Sequence, residues 1–168
     1  DWSDVRIYSP SLSNNSDRLK TWQSACPGIQ ISASSTVSVA QADVVMLCTS
    51  SGTPVLAPDD IGKPALITSI STNAANAHEV PPAFLADADV YCDYKPTTPT
   101  SAGEMKLAAK DHGWDSAAIC GDLAGLACGN APLPDYKKPV FFRSIGLGLE
   151  DLAMAYGIWQ ASLMEDAS

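Results

Sequence analysis

The sequence predicts a single α/β domain with a mainly parallel sheet and helices on both of its faces. Short β-rich runs alternate with helical patterns along the 168 residues, and this order is typical of a parallel sheet with helical crossovers. Residues 44–48 form a continuous apolar run, as expected for a strand covered on both faces. Residues 149–164 carry apolar side chains at helical spacing, which predicts a long amphipathic helix.

Each element has a local signal. The alternation of Val5-Arg6-Ile7-Tyr8 predicts the first strand, Pro27-Gly28 ends the first helix, and Pro81-Pro82 opens a short helix because proline suits the first helical turn. The predicted strands are residues 5–8, 29–33, 44–48, 65–70, 90–92 and 140–142. The predicted helices are residues 18–25, 37–42, 81–85, 101–111, 120–128 and 149–164.

Composition narrows the class of protein. The formal net charge is −9, and this acidic balance argues against nucleic acid or an anionic membrane as a partner. No apolar run approaches the ~18 residues that a membrane span requires, and the first residues show no signal-peptide pattern. The five cysteines are odd in number and lack a CxxC pair, so we expect buried free thiols and a cytoplasmic location.

Several common catalytic patterns are missing. The sequence has no GxSxG turn, which argues against the serine nucleophile of hydrolases. His78 has no second histidine or cysteine at ligand spacing, so we expect no metal site. No GxGxxG occurs either; Gly146-Leu147-Gly148 supplies two of its glycines and lacks the third.

The loops that follow the predicted strands are the places to look for a ligand, because parallel α/β sheets bind ligands at the carboxyl ends of their strands. Thr49-Ser50-Ser51-Gly52-Thr53 is small and rich in hydroxyls, so its amides can approach a phosphate or ribose closely. The same composition also fits an ordinary polar loop. Ser9-Pro10-Ser11 follows the first strand, and Ser71 to Glu79 follows the strand at 65–70.

The C-terminal segment 142–153, FRSIGLGLEDLA, closely resembles the signature of the ornithine cyclodeaminase/mu-crystallin family. Three earlier stretches are similar to that family in the expected order: residues 42–56, residues 65–90 and residues 121–132. The resemblance therefore extends over nearly the whole chain.

The resemblance implies a Rossmann-like domain over residues 1–144, followed by a C-terminal helix over 145–168 that returns toward a substrate and dimerisation domain. It implies NAD(P)H as the cofactor, bound by Ser9, Ser11, Thr49, Ser50, Ile70, Ser144 and Gly146. Ser9 and Ser11 would lie beside the adenosine ribose, and Ile70, Ser144 and Gly146 beside the nicotinamide. No acid stands after Tyr8 to hold a ribose 2′-hydroxyl, and these hydroxyls with Arg18 favour the 2′-phosphate of NADPH, with NADH as the alternative.

Two departures from the family pattern shape the expected function. The resemblance begins at the second strand of the fold, so the first strand, its glycine-rich turn and the family's substrate-binding Arg and Lys are not in this chain. We therefore expect the missing N-terminal half, or a separate polypeptide carrying it, as a partner, and an inactive chain without it. Cyclodeaminases have an aspartate where Asn73 stands, and asparagine cannot act as a carboxylate base.

The sequence thus predicts an NAD(P)H-dependent ketimine reductase of proline metabolism that converts Δ1-pyrroline-2-carboxylate or Δ1-piperideine-2-carboxylate to proline or pipecolate. Asn73 is the predicted catalytic residue, through a hydrogen bond to the substrate or to a water, with a purely structural role as the alternative. An ornithine cyclodeaminase and a non-catalytic NADPH-binding protein similar to crystallins remain alternatives. A homo-oligomer is expected, since relatives are commonly dimers.

Overall fold

The computed structural model describes residues 2–12, 16–70 and 74–165, and it has the expected α/β architecture. The strands are β1 (Val5–Ile7), β2 (Ile29–Ile31), β3 (Val44–Leu47), β4 (Leu66–Ser69), β5 (Asp89–Cys92), β6 (Gly121–Asp122) and β7 (Val140–Arg143). The α-helices are α1 (Ser16–Ala25), α2 (Ser35–Val39), α3 (Thr98–Ser101), α4 (Gly103–His112), α5 (Leu123–Ala127) and α6 (Gly148–Glu165). Short 3-10 helices cover Pro58–Ile61, Pro82–Ala86 and Ser116–Ala118.

The larger sheet has five parallel strands in the order β3-β4-β7-β5-β6. Its central strands place Ile67, Val90 and Phe141 on the buried face, where each is at most 1% exposed. Met105 and Ala108 of α4 belong to the same core. The prediction that the apolar run 44–48 is covered on both faces is wrong. Residues 44–47 form β3 at the edge of the sheet, where Val45 and Leu47 are buried on one face and Met46 is exposed on the other.

A second, smaller sheet pairs β1 with β2 in parallel. Among the described residues, β1 pairs only with β2, and β3 pairs only with β4. The Arg6 guanidinium links β1 to α2, because it donates to the carbonyls of Val37 in α2 (3.0 Å) and of Ala40 at its C-terminal end (2.8 Å). Met46 on β3 is 70% exposed, so the edge strand of the larger sheet has an uncovered apolar side chain.

Three predicted elements differ in detail from the structure. The helix expected at 101–111 is divided into α3 and α4, because Ala102 is extended at φ −68° and ψ 126°. Residues 81–85 form 3-10 rather than α-helix. The stretch 120–128 begins with the two-residue strand β6 before α5 starts, and a strand of two residues is too short to give an alternation pattern.

The cysteines are free, as predicted, but the expectation that they are buried is wrong for most of them. Cys92 on β5 is fully buried, whereas Cys48 and Cys128 are exposed and Cys26 and Cys120 are half-buried. Burial raises the pKa of the Cys92 thiol to about 11. Cys48 follows the last residue of β3 and lies where the chain leaves the sheet, which is why the burial predicted from its apolar context is wrong.

The long helix α6 has no buried face among the side chains that the structure describes. Its large apolar side chains, as far as Leu163, are exposed by 47% or more: Leu149, Leu152, Met154, Tyr156, Ile158, Trp159 and Leu163. The amphipathic pattern predicted a face that packs on apolar groups, and the described part of the chain does not provide that contact.

Candidate functional site

The predicted cofactor residues gather at the carboxyl ends of the parallel strands. Ser9 and Ser11 follow β1, Thr49 and Ser50 follow β3, Ile70 follows β4, and Ser144 and Gly146 follow β7. Because β3, β4 and β7 are neighbours in the sheet, the last three groups meet at one edge. The predicted catalytic residue Asn73 lies outside the described residues.

The segment after β1 presents hydroxyls and a cation. The hydroxyls of Ser9 and Ser11 lie 3.3 Å apart and form a hydrogen bond. Arg18, near the start of α1, places its guanidinium carbon 5.1 Å from the centroid of the Trp22 ring. Arg18 is an exposed residue, and the distance is within the range of a cation–π contact.

The loop after β3 is held in a tight conformation by its own hydroxyls. The Thr49 hydroxyl accepts a hydrogen bond from the Ser51 amide (3.1 Å), and the Ser51 hydroxyl accepts one from the Thr53 amide (3.2 Å). The Ser51 hydroxyl also donates to the Thr53 carbonyl at 2.7 Å. At Gly52, no atom lies within 4 Å of the position that a Cβ would occupy, so a ligand can approach this backbone closely.

A buried polar network lies beneath this edge of the sheet. The Glu79 carboxylate accepts hydrogen bonds from the Thr49 amide (2.9 Å), the Thr49 hydroxyl (2.7 Å) and the Ser69 hydroxyl (2.7 Å). Ser69 in turn accepts a hydrogen bond of 2.9 Å from Nη1 of Arg143. The network therefore joins the ends of β3, β4 and β7.

Arg143 extends the network to a second buried acid. Its Nε lies 2.8 Å from Oε1 of Glu104, and both side chains are at most 1% exposed. The two atoms are close enough to form an ion pair, but they are not aligned as a hydrogen bond requires. Burial raises the pKa of Glu104, and the guanidinium of Arg143 opposes that shift.

The turn after β7 is held by a different carboxylate, that of Asp93. Its Oδ2 accepts from the Ser144 hydroxyl (3.1 Å), the Ile145 amide (2.7 Å) and the Gly146 amide (3.1 Å). Its Oδ1 accepts from the Tyr94 amide (2.8 Å) and the Thr98 hydroxyl (2.5 Å). Burial alone would raise the pKa of Asp93, but these hydrogen bonds outweigh it and the pKa lies below its usual value.

These contacts constrain the hydroxyls of the two predicted cofactor residues Thr49 and Ser144. Each donates its proton to a buried carboxylate and accepts a bond from the amide two residues later. A hydroxyl has one donor and two acceptor sites. Toward a ligand, both residues therefore present only a remaining acceptor site.

Sequence reasoning missed the acids that shape the site. Asp93 directly follows β5 and could have been found by the same argument on strand ends that selected Thr49. Glu79 closes the selected segment 71–79, but its role was not predicted because its partners Thr49 and Ser69 lie 30 and 10 positions away. Glu104 does not follow a strand. His78 contacts the carbonyl of Asn76 through Nδ1 at 2.8 Å.

Three further features of the described residues bear on other kinds of site. The described residues contain no cluster of metal-ligating side chains. No helix among them has the length and apolar character to cross a bilayer. An open cavity of about 770 Å³ lies beside the C-terminal part of α4 and includes Lys106, Lys110 and Trp114 in its lining.

Comparisons with known proteins agree with this architecture. The profile of the ornithine cyclodeaminase/mu-crystallin family matches residues 1–165. The chain is 51% identical to the NAD(P)H-dependent anabolic L-arginine dehydrogenase DauB of Pseudomonas aeruginosa, over 95% of this chain and 50% of that protein. It is 29% identical to the iminosuccinate reductase of Paracoccus denitrificans, over 71% of this chain and 37% of that protein. The chain thus spans half or less of the length of these curated relatives.

Solved structures show the same fold. The Δ1-pyrroline-2-carboxylate reductase of Thermococcus litoralis, in complex with NADH and L-proline, superposes with a TM-score of 0.86 at 18% identity, over 97% of this chain and 51% of that one. The iminosuccinate reductase of Paracoccus denitrificans, in complex with NAD+, superposes with a TM-score of 0.83 at 24% identity, over 97% and 50% of the two chains.

Proposed function

Because the chain belongs to the ornithine cyclodeaminase/mu-crystallin family, we propose that it is the cofactor-binding part of an NAD(P)H-dependent oxidoreductase that acts at the C=N carbon of an imino acid. The observation that carries this proposal is the meeting of Thr49, Ile70 and Ser144 at the carboxyl ends of three adjacent parallel strands. That edge is where α/β sheets bind dinucleotides.

The residues after β1 and β3 suit the two phosphate-bearing parts of the cofactor. Ser9, Ser11 and Arg18 would hold the adenosine ribose and favour a 2′-phosphate, so NADPH is the preferred form. The Thr49–Thr53 loop would face the pyrophosphate, since Gly52 leaves space beside its backbone. Ile70, Ser144 and Gly146 would border the nicotinamide.

When bound, the nicotinamide would supply a hydride to the C=N carbon, while the imine nitrogen takes a proton and the double bond becomes a single bond. The chain's own contribution is orientation, which alone can lower a barrier substantially. Ser144 would present an acceptor to an N–H group, because its proton is engaged by Asp93. Asn73 is proposed to hydrogen-bond the substrate or an ordered water.

Two substrate sets follow from different observations. The identity of 51% to a dehydrogenase of arginine favours an acyclic imino acid with a basic side chain. The sequence prediction of a cyclic imino acid, Δ1-pyrroline-2-carboxylate or Δ1-piperideine-2-carboxylate, is the second candidate. The half of the relatives that this chain does not match would supply the groups that choose between them.

The test is NADPH oxidation with the two cyclic imino acids, and NADP+ reduction with L-arginine, by the chain assembled with the polypeptide that carries the missing half. Turnover with one of the sets supports the proposal, and it should be at least about tenfold faster with NADPH than with NADH if Arg18 binds the 2′-phosphate. NADPH binding without turnover would select the crystallin-like alternative. Ammonia release from ornithine would select the cyclodeaminase.

We also propose a partner for the unpaired edges of β1 and β3: one strand, parallel to both, from the half of the relatives that this chain does not match. A two-stranded sheet is marginally stable by itself, and exposed edges invite pairing. The same polypeptide would cover the exposed Met46 and the exposed apolar side chains of α6.

Residue-resolved amide exchange tests this partner. In the active protein, the amides of β1 and β3 that point away from β2 and β4 should exchange slowly. Fast exchange at those amides in an active preparation would contradict the proposal. Native mass spectrometry of the same sample separates a covalent continuation of the chain from a separate polypeptide or a second copy.

A further inference from the structure

Glu79 holds both ends of the loop that follows β3. Its side chain accepts hydrogen bonds from the amide and the hydroxyl of Thr49, where the loop begins. Its backbone carbonyl accepts a hydrogen bond from the amide of Val55, where the loop ends, at 2.9 Å. A single residue from the segment after β4 therefore fixes both ends of residues 49–55, and the hydroxyls of the loop itself fix the turn between them.

The side chain of Glu79 acts as a carboxylate in every one of these contacts. Thr49 supplies an N–H and an O–H to Oε1, and Ser69 supplies an O–H to Oε2. An ionised carboxylate is an acceptor only, so these three donors match it. The side chain is 0% exposed, so water does not replace these bonds.

Ser69 and Arg143 fix the position of the Glu79 carboxylate. The Ser69 hydroxyl accepts a hydrogen bond from Nη1 of Arg143 and donates its own proton to Oε2 of Glu79. Arg143 is 1% exposed and also pairs with Glu104. Side chains on β4, β7 and α4 thus hold the carboxylate next to Thr49.

We propose that Glu79 is a positioning residue for dinucleotide binding, which acts through Thr49 to hold the Thr49–Thr53 loop in the conformation that receives the cofactor. This inference rests on the proposed function for the identity of the ligand. It deepens that function by assigning a role to a buried acid that does not touch the cofactor.

The first test is Glu79→Gln in the full chain, measured as the Kd for NADPH by fluorescence titration. Glutamine keeps the shape of the side chain and the backbone bond to Val55, but it replaces one acceptor oxygen by a donor and removes the charge. We expect the Kd to rise about tenfold or more, because charge-assisted hydrogen bonds to Thr49 or Ser69 are lost.

The matched control is Asp122→Asn. Asp122 also accepts two backbone hydrogen bonds, from the amides of Gly125 (2.8 Å) and Lys95 (3.1 Å). It lies on β6, at the opposite edge of the five-stranded sheet from β3. The Kd of the Asp122→Asn variant for NADPH should stay within about twofold of the Kd of the unchanged protein. Equal changes in Kd for the two variants would overturn the proposal.

A double-mutant cycle separates positioning from general stability. Thr49→Val removes the hydroxyl that Glu79 binds. If Glu79 acts through Thr49, adding Glu79→Gln to Thr49→Val should raise the Kd by clearly less than it does alone, because residues in one network are not additive. Fully additive effects on the Kd would show that Glu79 acts by another route and would overturn the proposal.

Amide exchange of the ligand-free protein keeps the two proposals distinguishable. Glu79→Gln should speed exchange at Thr49 and the following loop amides, and Asp122→Asn should not. If the unchanged protein binds no NADPH but amide exchange in this loop is faster in Glu79→Gln, the proposed function fails and the positioning of the loop by Glu79 stands. If the loop amides exchange at the same rate in Glu79→Gln as in the unchanged protein, the positioning role is overturned, whatever the protein binds.

Discussion

Buried charged side chains are the residues on which the candidate site depends. Glu79, Glu104, Asp93 and Arg143 are each at most 2% exposed, although burying a charge is costly unless it is paired or hydrogen-bonded. Each has such partners at the carboxyl ends of the strands. The buried charges therefore lie beneath the edge of the sheet where the ligand is proposed to bind, and two of the acids, Glu79 and Asp93, hold the loops there through backbone amides.

Arg143→Ala should lower the free energy of unfolding by about 3–5 kcal/mol, because it leaves the buried Glu104 without its cation. Lys63→Ala is the matched control. Lys63 lies 2.5 Å from Asp43, but Asp43 is 87% exposed, and exposed pairs contribute only about 0–1 kcal/mol. Urea denaturation measures both, and similar losses in the two variants would contradict the buried-pair interpretation.

Asp93 makes a pH-dependent contribution. Its pKa is below its usual value in the folded protein, so its stabilisation is present above the unfolded pKa of about 4 and is lost as the pH falls toward the folded pKa. Asp93→Asn should cost about 1–3 kcal/mol at neutral pH, as buried donors lose a charged acceptor. Below about pH 4 the difference from the unchanged protein should shrink; a difference that grows on acidification would count against this assignment.

At the scale of elements, the packing of α4 on the segment after β4 positions Glu79. A Cβ at Gly103, the first residue of α4, would lie 2.2 Å from the carbonyl oxygen of Ala77. Only glycine allows so close an approach of the two backbones. This contact explains why the predicted helix 101–111 breaks at Ala102, because the chain must turn there before α4 can begin against Ala77.

Gly103→Ala should therefore destabilise the protein by about 1–3 kcal/mol through overpacking, and it should displace the segment that carries Glu79. Gly157→Ala in α6 is the control, since no atom lies within 4 Å of its Cβ position. There, alanine should stabilise the helix by about 0.5–1 kcal/mol. Thermal melts of the two variants give the comparison, and equal shifts in the same direction would refute it.

At the scale of the whole molecule, the sequence predicted the alternation of strands and helices but not the order of strands. Apolar runs and proline or glycine stops are local signals, so β3, β4 and α6 were found nearly to the residue. The contact between Ser69 and Arg143 spans 74 positions and exists only because β4 and β7 are neighbours. The buried network therefore could not be read from local patterns.

The strand-end rule predicted where the site lies but not how it is held. Thr49 was selected because it follows a strand, and Ser144 because of the family resemblance. Both donate their protons inward to carboxylates. Whether a hydroxyl faces a ligand or a buried acid depends on side chains far along the chain. Sequence patterns therefore predict the positions of such residues better than their roles.

The measurement that tests the central claim most directly is amide exchange of the full chain with and without NADPH. Binding should slow exchange in three segments, residues 8–12, 49–53 and 144–148, which follow β1, β3 and β7. A contradictory result would be slowed exchange confined to residues 99–116 around the cavity beside α4, or no change in any segment at saturating NADPH.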